Sequence, residues 1–240
     1  MNWTALLGQC TQKKNEIIFK GKKVLNEGKT QSDFAQIMSD HYFSGGKISA
    51  EIMFKKIDKS LPSVCEIIIF FDPDTKNLLT VGLGGSWNMY SIRGFRSTWD
   101  NHALSGLYTN LETNKFYKVE VEVKGSKVIL KVDGIIVLVK TLPFVVPISQ
   151  VGLFCLGTSD ITIRNYKIHS EEPKAFVVMQ FSSPFNELYN EVIKPICDEA
   201  KLKVLRADET YGPGLIIADI TKEISESRIC LLYTSPSPRD

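Results

Sequence analysis

The side chains best suited to reading a saccharide lie between Trp87 and Tyr108. Trp87, Tyr90, Arg93, Trp99, Asn101, His102 and Tyr108 stand in a segment rich in Gly, Ser and Asn. Aromatic faces stack on sugar rings, while guanidinium and amide groups bond their hydroxyls. Trp87, Tyr90, Arg93, Trp99 and Asn101 form the candidate carbohydrate-binding set. The same aromatics could instead be core of a β-sandwich, and the sequence leaves both readings open. Glycoside hydrolysis asks for more, namely two carboxyls about 5 to 9.5 Å apart across the sugar. Glu120 and Glu122 share a strand face but alternate with Val119, Val121 and Val123, the pattern of solvated charges over a buried row. No Glu-x-Asp-x-x-Glu arrangement of the glucanase type is present. Asp72-Pro73-Asp74 reads as a hairpin turn, with calcium binding as its alternative. No catalytic residue, metal site or cofactor is assigned.

These residues sit in the first of two segments with different periods. From about residue 16 to 168, apolar residues alternate with polar ones and turn residues recur every eight to twelve positions, the pattern of an all-β sandwich. Lys118–Lys124 is the clearest strand. Gly125-Ser126 turns it into Lys127–Val132, and Asp133-Gly134, a strong two-residue hairpin signal, turns that into Ile135–Val139. Further strands are expected at 17–20, 46–54, 65–72, 78–82, 88–92, 152–156 and 161–169.

After Ser170 the period changes. Residues 175–181 are a near-continuous apolar run, as in a parallel strand covered on both faces. Ser182-Ser183-Pro184 offers a hydroxyl cap and a first-turn proline, and apolar residues from Phe185 to Ala200 recur at helical spacing. Pro195 inside that pattern should kink the helix or loosen its last turn. A strand at 203–206, a glycine-bearing loop at 209–214 and a helix at 215–227 complete a βαβα order.

The 240 residues carry a formal net charge of +2, with 43% hydrophobic and 23% charged residues. Such a composition excludes a disordered tail or a collagen, and so small a net charge argues against global attraction to nucleic acid. The balance conceals an asymmetry: residues 1–170 hold 21 basic and 15 acidic side chains, residues 171–229 hold 7 and 11. The longest apolar runs, Val64–Phe71 and Ile135–Val139, are far below the roughly 18 residues of a bilayer helix. The first residues show no basic segment before an apolar core, so a cytoplasmic location is expected. Five scattered cysteines without metal-ligand spacing suggest reduced, buried thiols.

Trp3–Gly8, Phe43–Ile48, Tyr117–Val123 leading to Val132-Asp133-Gly134, Val151–Phe154 and Ile161–Tyr166 together resemble the concanavalin A-like jelly roll, nearest its laminin-G-like and keto-disaccharide-hydrolase-like branches. The resemblance implies a sandwich over residues 1–170 that binds a glycan or a protein partner, with a sugar hydrolase as the alternative. Phe176–Phe181, Ser182-x-Pro184-Phe185-Asn186, Arg206-Ala207-Asp208, Gly214 and Asp219-Ile220 resemble the nucleoside 2-deoxyribosyltransferase-like family, akin to Toll/interleukin-1-receptor-like domains. That resemblance implies a flavodoxin-like unit over residues 171–229 and a nucleoside or nucleotide ligand. Since ligands of open α/β sheets sit beyond the carboxyl ends of the strands, Gln180, Phe181, Ser182 and Asp208 should converge on the ligand, with Gly212 and Gly214 admitting close backbone approach. A loop or capping role is the alternative for Asp208. The family's glutamate follows a third strand and has no counterpart here, since Glu223 and Glu226 do not match its motif. Residues 230–240 resemble the translation of a transposase-type sequencing adapter, with a natural Ser/Pro-rich tail as the alternative; the adapter reading implies an interrupted reading frame, an exposed apolar edge near Ile229 and an inactive enzyme. A sensor-effector protein, possible in prokaryotic antiviral defence, is the fullest reading; a pure binding module is the simplest.

Overall fold

Period-two alternation is drawn out into strands across the first segment of the computed structural model, which describes residues 1–58, 60–85, 87–209 and 216–233. In order these are β1 (Trp3–Leu7), β2 (Cys10–Lys13), β3 (Glu16–Phe19), β4 (Lys23–Asn26), β5 (Lys29–Phe43), β6 (Gly46–Phe54), β7 (Ser63–Phe71) and β8 (Leu78–Gly85). There follow β9 (Asn88–Phe95), β10 (Trp99–Leu107), β11 (Phe116–Lys124), β12 (Lys127–Val132), β13 (Ile135–Thr141), β14 (Ser149–Gly157) and β15 (Ile161–Ser170). One sheet has the order β1-β5-β14-β7-β8-β9-β10, with β4 paired to the start of β5; the other runs β13-β12-β11-β6-β15-β3-β2. Neighbours far apart in sequence, such as β5 with β14 and β6 with β15, pair antiparallel.

Strands β6 and β12 and the Asp133-Gly134 turn fall where the alternation places them. At that turn both residues have positive φ, 50° and 83°, as a type I′ hairpin needs, and Asp133 also accepts the Lys118 N–H at 2.8 Å. β1, β2, β4, β5 and β10 are not legible from alternation. β5 shows why: its middle, Ala35–Ser39, is buried on both faces while Lys29–Gln31 and Asp40–Tyr42 are exposed, so no single period describes it.

The two sheets bury their strands differently. β6 alternates strictly, with Ile48, Ala50, Ile52 and Phe54 inward and Lys47, Ser49, Glu51 and Met53 outward. Burial of each large inward side chain contributes about 1.5–3 kcal/mol. β7, by contrast, is buried from Ser63 to Ile69 on both faces. Its outer face carries an apolar cluster of its own, Met38, Val64, Ile68, Leu78 and Phe154, flanked by Phe71, Phe95 and Leu156.

The chain divides into two compact units: Met1–Val123 with Val128–Lys140 and Val146–Ser170, and Glu171–Asp240 with Lys124–Lys127 and Thr141–Val145. In the second, β16 (Lys174–Val178), β17 (Lys203–Arg206) and β18 (Ile229–Leu232) form a parallel sheet with β16 central. Residues Cys230–Leu232, assigned above to the tail, lie in β18, and Ile229 is partly exposed. Between β16 and β17 come α1 (Phe185–Glu187), a π-helical stretch Leu188–Ile193 and α2 (Lys194–Glu199); α3 (Ile216–Glu226) precedes β18. The disturbance expected at Pro195 appears as this π-helical register. Pro195 sits in the first turn of α2, and because it has no N–H to give to the preceding turn, the ladder upstream runs in the wider π register. The expected hydroxyl cap is not made: the Ser183 hydroxyl donates to Glu187 Oε1 at 2.9 Å. Ala175, Val177 and Met179 pack against Tyr189, Ile193 and Cys197. All five cysteines are free thiols, with Cys65, Cys155 and Cys197 buried. Among the described residues no helix is long and apolar enough to cross a membrane.

Candidate functional site

Strand parity decides what the outer face of the β7-centred sheet presents. Cys65, Ile67 and Ile69 point into the sandwich, so Val64, Glu66 and Ile68 point the other way, toward the side that carries partly exposed Phe34 and Trp99. Register sets Gln36, Phe154, Glu66, Gly82 and Ser91 in one row across this face, and Ile68, Thr80, Arg93 and Asn101 in the next. Gly82 puts no side chain between Glu66 and Ser91. A Cβ there would lie 2.5 Å from the Cys65 carbonyl oxygen.

Glu66 lies fully buried in this gap. Its Oε1 accepts the Ser91 hydroxyl at 2.5 Å and Arg93 Nε at 2.8 Å; its Oε2 accepts the Thr80 hydroxyl at 2.8 Å and Arg93 Nη2 at 2.7 Å. Four donors, two of them from one bidentate guanidinium, offset the desolvation cost of a buried carboxylate. The Arg93 guanidinium in turn lies 4.3 Å from the centroid of Trp99, whose ring leans on Phe95 and Phe154 at 5.3 and 5.1 Å. The indole is thereby fixed along the wall of a groove of about 660 Å³ whose aromatic lining is Phe34, Phe71, Phe95, Trp99 and Phe154, with Gln36 and Lys76 as its polar members.

The candidate carbohydrate-binding residues are therefore divided. Arg93, Trp99 and Asn101 share this face, Asn101 standing opposite Arg93 on β10. Arg93 directs two N–H groups to Glu66, so its first role is to hold Trp99. Tyr90 points to the opposite face and lines a separate cavity of about 260 Å³ beside Tyr117 and Asp133. Trp87 lies at the start of the β9 hairpin arm, 84% exposed. Sequence reasoning missed Glu66, Thr80, Ser91 and the four phenylalanines. Glu66 inside an otherwise apolar run was the available signal, because a buried carboxylate requires a partner.

Glu120 and Glu122 lie on the other sheet. Glu120 pairs with Lys47 at 3.2 Å and Lys131 at 3.6 Å, and Glu122 with Lys131 at 3.4 Å, a half-exposed ion-pair lattice. Asp72 forms the expected turn, its carboxylate accepting the Thr75 hydroxyl at 2.6 Å and the Asp74 N–H at 3.0 Å. The Thr75 bond leads in holding the Asp72 carboxyl below its usual range.

In the second unit Gln180, Phe181 and Ser182 follow the carboxyl end of β16 and are exposed, and Asp208 follows β17. Gly212 and Gly214 lie outside the described residues. The centre of this end is Arg206. It donates through Nε and Nη2 to Asp208 at 2.7 and 2.6 Å and through Nη1 to Asn186 at 2.8 Å, and its guanidinium lies 4.6 Å from the Tyr189 ring and 5.5 Å from Phe181. The Tyr189 hydroxyl donates to Glu209, and burial first, then that bond, holds its phenol above the usual range. Glu223 pairs with Lys174 at 2.6 Å. Arg206→Met, which strips Asp208 of its partner, should destabilise this unit by about 1–3 kcal/mol. Faster amide exchange across β16 and β17 would report it; unchanged exchange would refute it.

No protein-family model matches this chain, and no curated protein does. Solved structures do match. A carbohydrate binding module from Bacillus subtilis aligns with a TM-score of 0.55 at 16% identity, covering 68% of this chain and 92% of that one. The first unit has a concanavalin-like β-sandwich fold. A prokaryotic β-1,3-1,4-glucanase (lichenase) derived from a mouse hindgut metagenome aligns at 0.50 and 10% identity, covering 68% and 90%.

Proposed function

We propose that the sandwich is a carbohydrate-binding module that seats its ligand in the groove on the outer face of the β7-centred sheet. The observation that carries this reading is the clamped indole: Glu66 fixes Arg93, and Arg93 fixes Trp99 at the groove wall. A preorganised aromatic face loses little entropy when a sugar ring stacks on it. Asn101, exposed beside it, and Lys76 supply groups for hydroxyls. The fold is shared with a protein described as a carbohydrate binding module and with one described as a lichenase, which supports a saccharide ligand. Hydrolysis fits less well. Glu66 has its oxygens committed to four donors, and the two-carboxylate arrangement of glycosidases needs a free acid and a second carboxylate. Screening the chain on a glycan array, then titrating mixed-linkage β-glucan oligosaccharides calorimetrically, tests the proposal. Saturable binding without product formation is expected; no binding to any glycan overturns it, and release of reducing sugar favours the hydrolase.

A second reading concerns the α/β unit, which we take as a flavodoxin-like nucleotide-binding unit. Its support is the polar cluster around Arg206 at the carboxyl ends of parallel strands, where ligands of such sheets sit. Gln180, Phe181, Ser182 and Asp208 surround that cluster in the chain. A nucleoside or nucleotide is the ligand this reading implies, and N-glycosidic cleavage in a sensor-effector protein of antiviral defence extends it on the sequence resemblance alone. Titration with NAD and with adenosine, comparing the parent chain with Arg206→Met, tests the binding step. Equal or absent binding in both would end it.

A further inference from the structure

A further cavity, of about 360 Å³, lies at the edge of the sandwich between Trp3 of β1, the β2–β3 hairpin and residues 163–167 of β15. It exists because β15 carries a bulge. Arg164 pairs with Glu51 and Lys167 with Ser49, so Asn165 and Tyr166 together face the single position between, Ala50. Asn165 takes a left-handed conformation, φ 54°, which asparagine tolerates. Glu51 pins the bulge by accepting Asn165 Nδ2 at 3.0 Å and Arg164 Nε at 2.7 Å. The extra residue reverses strand parity and swings Tyr166 inward, where its ring meets Trp3 edge-on at 4.9 Å.

The consequence is an expensive hydroxyl. Tyr166 Oη is buried without a hydrogen-bond partner among the described residues, and burial holds its phenol far above the usual range, so it stays a donor at any physiological pH. Groups of this kind cost stability and are rare in folded proteins. Around the cavity stand Lys13, Lys14 and Lys167, against the single carboxylate of Glu16; Arg164 is committed to Glu51 and to the face of Phe116 at 3.6 Å.

We infer that this cavity is a second ligand site of the sandwich, separate from the groove, and that it takes a small organic anion of monosaccharide size. The acidic group lies against Lys13, Lys14 and Lys167, and the Tyr166 hydroxyl, buried and without a partner among the described residues, donates to the same molecule. The volume is at the small end of ligand pockets, which excludes an extended polymer. The bulge is the device that trades a strand pair and a buried donor for this site.

Calorimetric titration of the full chain with glucuronate, glucose 6-phosphate and glucose tests the inference. At least one anion should bind, with affinity falling as salt is added, while glucose does not; which anion binds separates carboxylate from phosphate. Tyr166→Phe should weaken that binding about tenfold and yet raise the ligand-free melting temperature by about 2 to 8 °C, because the orphaned hydroxyl is gone. Lys13→Gln, Lys14→Gln and Lys167→Gln together should lower affinity and flatten its salt dependence with Tyr166 intact. Binding of glucose as tight as that of the anions, no binding of either anion, or a Tyr166→Phe affinity within twofold of the parent would overturn it.

Discussion

Replacing Glu66 by alanine, or Arg93 by methionine, should lower the melting temperature of the sandwich by about 6 to 20 °C. Removing one member of a buried ion pair leaves the other uncompensated and costs about 3–5 kcal/mol, and in a unit of this size each kcal/mol moves the midpoint by about 2–4 °C. Burial is complete at Glu66 and nearly so at Arg93, whose side chain is 15% exposed, so solvent cannot take over the missing partner. Glu66→Ala orphans the guanidinium and the Ser91 hydroxyl and leaves the Thr80 hydroxyl only its 3.4 Å bond to the Arg93 carbonyl; Arg93→Met leaves a carboxylate with two hydroxyl donors and no cation. The double variant Glu66→Leu/Arg93→Met removes both charges and should recover most of the loss. Calorimetric unfolding of the four chains decides the matter: a single variant within 2 °C of the parent would show that the pair carries no such weight.

Trp99→Ala should weaken binding of the best oligosaccharide from the array by about 10- to 100-fold, the range found for tryptophans at the centre of binding sites. The indole is 37% exposed, so part of its surface already faces solvent along the groove, and its truncation should disturb folding far less than loss of Glu66. Trp99→Phe keeps a face to stack on and should fall between. The same clamp predicts an indirect effect: an Arg93→Met chain that still folds should bind several-fold more weakly, because the ring it supported is no longer held. Titration of these variants at one temperature, with circular dichroism to confirm folding, separates the roles. A Trp99→Ala affinity within threefold of the parent would remove the groove from the binding reading.

Local features were legible wherever one rule governs a short stretch. Asp133-Gly134 has to turn because both residues tolerate positive φ, β6 alternates because one of its faces meets solvent, and Pro195 has to disturb its helix because it lacks a donor. β5 and β10 escaped for the opposite reason, since their burial varies along their length with the neighbours that cover them. The candidate saccharide set was half resolved: Trp99 and Asn101 reach the groove face, and Tyr90, only a few residues away, is turned from it by strand parity. In the second unit Asp208 stood out in the sequence as a candidate ligand contact, whereas its partner Arg206 was named as a strand end and part of the same segment but given no role.

By itself the sequence determined a β-rich unit followed by an α/β one, the places of their clearest strands, and a segment with the chemistry to meet a sugar. Those follow from period, turn residues and composition, which act over a few residues at a time. Only the tertiary structure decided which residues meet. Glu66 reaches Arg93 across β8, and Trp3 reaches Tyr166 because a bulge far along the chain reverses its parity. Cross-strand register is a property of pairs distant in sequence, and a shift of one residue sends every side chain to the other face. That is why the groove, its clamp and the cavity beside Tyr166 emerge with the sheets and not before them.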